Sequence, residues 1–109
     1  MLLPPDEAAS RRLHHDLETT IREVNLELIS TSTGAITRSA FTNVARMVAS
    51  LRGRYLQCVL RLGEQSLNGY IDTEAALELK PLREAYTEAA DGFAALEHAL
   101  RKGYVSLAD

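Results

Sequence analysis

Tryptophan is absent from this chain of 109 residues, cysteine occurs once and phenylalanine twice. With Cys58 alone, no intrachain disulfide can staple the fold. No apolar run approaches the ~20 residues that a membrane span needs. The opening Met1-Leu2-Leu3-Pro4-Pro5-Asp6 has neither a basic n-region nor an apolar h-region, so a signal peptide is not expected. Strand-like alternation of period two, internal repeats and low-complexity tracts are missing as well. The expectation is one cytoplasmic domain with a buried thiol and no membrane partner. A net charge of -3 argues against a surface that is all nucleic-acid footprint, although a local patch stays open. Hydrophobic and charged fractions of 46% and 25% are ordinary for a folded globular protein.

What the chain does contain is helical rhythm. Phe41, Val44, Val48, Leu51, Tyr55, Cys58 and Leu62 follow one another at alternating steps of three and four. Leu79, Leu82, Tyr86, Ala89, Phe93, Leu96 and Leu100 repeat the pattern. Such spacing lays every named side chain on one stripe, the seam that packs against another helix. The fold class expected is therefore all-α: three long helices in an up-down-up bundle, spanning residues 1–109 as a single domain and assembled as a homodimer.

The first helix is expected from about Asp6 to Ile29, opened by Pro4-Pro5 and two early acids. Its core face would be Leu13, Leu17, Ile21, Val24 and Leu28, and the turn formers from Ser30 to Gly34 would end it. The second helix is expected from about Ile36 to Ser66, stopping at Asn68-Gly69. The third starts at an Asp72 N-cap and closes at Gly103. Pro81 inside the third predicts a kink, or a short helix over 72–79 followed by a long one from 81. Gly53 and Gly92 sit mid-helix, where a close neighbouring backbone is one reason and idle solvent exposure the other.

Charge is segregated. Five arginines, Arg38, Arg46, Arg52, Arg54 and Arg61, lie between Ile36 and Gly63 with no acid among them, while the flanking helices are acidic. Two readings compete. The favoured one is a basic helix held between acidic partners. The other makes the five arginines anion or nucleic-acid contacts. At roughly 100° per residue they scatter around the helix instead of forming one stripe.

From Tyr55 to Leu62 the second helix is apolar nearly all the way round, which is more than two companion helices can cover. Leu56, Val59 and Leu60 on the surplus flank are the candidate oligomer interface. His14 and Glu18 (i, i+4) could share a cation, but a third ligand is wanting, and His98 falls roughly 25 Å away along the bundle axis at 1.5 Å per residue. The stretch from His98 to Gly103 is one residue off the spacing of a phosphotransfer histidine ahead of Lys-Gly, and it ends the last helix, so that site is rejected. The turn Asn68-Gly69-Tyr70-Ile71-Asp72 resembles the last hairpin of the small helical proteins encoded by ribosomal-RNA intervening sequences. The match covers about a third of the chain and carries no function across.

No catalytic, cofactor-binding or metal-binding residue is expected, and the reading leans away from an enzyme. The leading function is a non-enzymatic protein–protein interaction or assembly module, with a homo-oligomer or another protein as partner. The alternative is an accessory protein that binds nucleic acid through the arginines of the second helix.

Overall fold

A computed structural model describes residues 5–109. Pro4, one of the two prolines expected to open the first helix, and the Met1-Leu2-Leu3 start lie outside that range. Four helices account for most of the described chain: α1 (Pro5–Thr33), α2 (Arg38–Ser66), α3 (Thr73–Leu77) and α4 (Leu79–Arg101). The all-α class holds, and no described helix is long and apolar enough to cross a membrane. The described residues fall into two compact units. One holds the chain up to Thr37 with His98–Asp109, the other Arg38–Glu97.

In the Arg38–Glu97 unit the rhythm of the sequence is the rhythm of burial. Every seam residue of α2 from Phe41 to Leu62 is partly or fully buried, with Val48 and Cys58 the most enclosed. On α4, Leu79, Leu82, Tyr86, Ala89, Phe93 and Leu96 are likewise partly buried. Rising numbers on α2 meet falling numbers on the other side. The guanidinium of Arg52 lies 5.0 Å from the Tyr86 ring centroid, and the Cys58 thiol donates to the Ala75 carbonyl at 3.6 Å. The two strips of chain therefore run antiparallel, as their short connection requires. Full burial of an apolar side chain contributes roughly 1.5–3 kcal/mol, and each of these mostly part-buried residues contributes a share of that.

The third helix is split, and the break falls at Glu78, three residues before Pro81. The proline ring displaces the carbonyl four residues earlier, that of Leu77, and brings no N–H to it. Ending α3 at Leu77 removes the conflict. Pro81 then occupies the first turn of α4, where the N–H has no intrahelical partner to lose. Asp72 caps α3 as expected, its carboxylate accepting from the Ala75 N–H at 3.1 Å.

The other unit is built on α1. This helix continues one turn beyond the expected Ile29. The hydroxyls of Thr31 and Ser32 donate to the carbonyls of Glu27 and Leu28, at 2.8 and 3.3 Å, which settles these turn formers inside a helix. Gly34 then ends α1 at φ +67°, its N–H donating to the Ser30 carbonyl at 2.7 Å. That is the left-handed cap a glycine accepts without a Cβ penalty. Ile36, expected to begin the second helix, instead joins the C-terminal tail. Its N–H donates to the Ser106 carbonyl at 2.8 Å, and its own carbonyl accepts from Ala108 at 2.9 Å. Val105, just before them in the tail, is buried.

The face of α1 expected to be core, Leu13, Leu17, Ile21, Val24 and Leu28, is between 46% and 61% exposed. Within its own unit nothing covers this stripe, and spacing alone records only that a face is apolar. Of the two reasons open for Gly53 and Gly92, solvent exposure is the one the described chain shows. A Cβ added at either position would meet nothing within 4 Å.

Candidate functional site

The large exposed apolar residues singled out in the sequence lie on helix surfaces. Leu56, Val59 and Leu60, the surplus flank of α2, are exposed by 49%, 41% and 73%. They sit at i, i+3 and i+4, so they adjoin on one side of the helix. The neighbouring Tyr55, Cys58 and Leu62 turn into the seam, which leaves this flank unburied within its own unit. The second apolar surface is α1's. Its five exposed residues recur at steps of four, four, three and four, about four turns of continuous stripe at 3.6 residues per turn.

Comparison with known proteins places no name on these surfaces. No family model, no curated protein and no solved structure matches the chain.

The arginines of α2 do not gather. Arg52 lies over the Tyr86 ring inside the α2–α4 pair, a contact worth about 0.5–1 kcal/mol at an exposed site. Its charge thus has a packing partner that the sequence reading did not assign. Arg38, Arg46, Arg54 and Arg61 are exposed at other positions around the helix. His14 and Glu18 do meet, Nε2 to Oε1 at 3.0 Å, with both side chains mostly in solvent. Among the described residues no three histidines, cysteines or carboxylates come together as ligands for a metal. Cys58 is enclosed at 3% exposure with its thiol turned to the Ala75 carbonyl, away from any reagent in solvent.

The helix end at Gly103 is as expected, but the tail beyond it is the part that sequence reasoning passed over. Tyr104 N–H donates to the Ala99 carbonyl at 2.8 Å and Gly103 N–H to that of Leu100 at 3.2 Å, with Gly103 at φ +74°. This pair of bonds is a Schellman termination, which turns the chain sharply out of the helix. It delivers Tyr104 and Val105 to the unit built on α1. The available signal was an aromatic and an aliphatic residue directly after a helix-ending glycine, the usual accompaniment of that cap.

Proposed function

We propose that the chain is a non-enzymatic assembly module that pairs with a second copy of itself through exposed helix faces. The observation that carries this reading is the amount of contiguous apolar surface left open: the five-residue stripe of α1 and the Leu56, Val59 and Leu60 flank of α2. Soluble monomers rarely expose apolar patches of this continuity, and those that do use them for binding. A two-fold pair is the simplest arrangement, since each copy offers the patch that the other needs.

Light scattering at micromolar concentration tests it. The wild-type protein is expected as a dimer or larger species. A Leu56→Glu, Leu60→Glu variant is expected to shift towards monomer while remaining predominantly helical by circular dichroism. A wild-type monomer across that range defeats the homodimer. The α1 stripe would then be covered by its own chain, in the up-down-up bundle, or be kept for a different protein. Salt-sensitive binding of a generic RNA by a monomer would instead favour the arginines of α2, because counterion release makes such binding weaken steeply with salt.

A further inference from the structure

The end of α4 does more than turn the chain. Arg101, Lys102 and Tyr104, with Glu18, Ile21 and Arg22 of α1, line a cleft of about 410 Å³. Arg22 reaches it by lying across Gly103. A Cβ on that glycine would be 3.6 Å from the arginine Cδ and 4.0 Å from its Cγ. The glycine is needed for its left-handed φ, while the arginine stem lies at ordinary contact distance from it.

Three cations and one carboxylate face this space, and the carboxylate is engaged elsewhere. Glu18 Oε1 is held by His14 Nε2 at 3.0 Å. Among the described residues, no ion pair or side-chain hydrogen bond occupies Arg22, Arg101 or Lys102. The negative end of the α4 dipole explains cations in its last turn. It does not explain Arg22, which comes from the middle of another helix. Another cleft, between Tyr55, Ala76, Leu79, Lys80 and Arg83, differs here. Its lysine already has a carboxylate, Glu84 at 3.8 Å.

We propose that the cleft at the end of α4 binds a small phosphate monoester with an aromatic or apolar body. A phosphate monoester brings close to two negative charges at pH 7 and three acceptor oxygens. Two guanidinium groups can each take a pair of those oxygens, and the lysine adds a point charge. A single carboxylate would leave most of the positive charge uncompensated. The organic body has its own wall in Ile21 and the Tyr104 ring. That ring is braced edge-on by His98, with centroids 6.3 Å apart and planes at 78°. The cleft volume falls within the range of ordinary small-molecule sites.

The test is calorimetric titration of the full chain at low salt with phenyl phosphate, inorganic phosphate and benzoate. Phenyl phosphate is expected to saturate at one per chain and to bind several-fold tighter than inorganic phosphate, with benzoate weakest. Arg22→Gln and Arg101→Gln, each checked for unchanged helicity, should weaken phenyl phosphate tenfold or more, and Arg61→Gln should leave it unchanged. Affinity should also fall below pH ~6, where the monoester takes up its second proton. Absence of saturable binding overturns the proposal. So does equal weakening by Arg61→Gln, which would mean diffuse attraction to a basic surface. The site shares Ile21 with the α1 stripe but uses no residue of the α2 flank, so the Leu56→Glu, Leu60→Glu variant should still bind phenyl phosphate.

Discussion

Gly53 and Gly92 are helical, exposed and free of any neighbour within 4 Å of an added Cβ. Each leaves the unfolded chain more freedom than alanine would, at a cost of roughly 0.5–1 kcal/mol in a helix interior. Gly53→Ala and Gly92→Ala should therefore each raise the urea midpoint by that amount of stability. Gly103→Ala should do the opposite, losing about 1 kcal/mol or more, since its φ of +74° penalises a Cβ. A fall in stability for either mid-helix variant would mean that a partner backbone approaches there after all. Seam residues were legible one by one because a helix fixes which positions share a face. Val105 was not. It is buried by a tail whose path depends on a glycine cap and on a pair of backbone hydrogen bonds to Ile36, and backbone bonds leave no mark in side-chain spacing.

At the scale of elements, local chemistry decided the boundaries. Asp72 was readable as an N-cap because its short carboxylate reaches the N–H three residues on. The split of the third helix was readable from Pro81, but its place at Glu78 required asking which carbonyl the ring displaces. The extra turn of α1 was not readable from turn propensity. Ser and Thr favour turns only while their hydroxyls compete for the backbone, and here those hydroxyls bond back along the helix. Capping gives the prediction at this scale. Asp72→Ala should cost about 1 kcal/mol in chemical denaturation, and Asp72→Asn, which keeps the acceptor, much less. Equal losses for the two would assign the effect to charge near the helix start instead of the cap bond.

For the molecule as a whole, the legible part was apolar pattern and the illegible part was what covers it. The seams of α2 and α4 and the stripe of α1 look alike in sequence, yet the first two are partly or fully buried apart from Leu100 at 38% exposure. Within its own unit the α1 stripe of Leu13, Leu17, Ile21, Val24 and Leu28 stands about half exposed. Periodicity reports a face, while the identity of its partner is set by chain connectivity and by other molecules. The same difference has an energetic consequence. Most helices in proteins are stabilised by packing of the apolar face more than by propensity. A 29-residue helix whose stripe is uncovered gives up that contribution. If a second copy supplies it, helicity and association must rise together. We expect the circular dichroism at 222 nm to deepen over the same concentration range in which light scattering detects the larger species. A Leu17→Glu, Val24→Glu variant should lose both the deepening and the assembly, while the buried Cys58 of α2 stays unreactive to thiol reagents because its own unit is intact. Helicity that is full at every concentration and indifferent to the two glutamates would show that α1 needs no partner on this face.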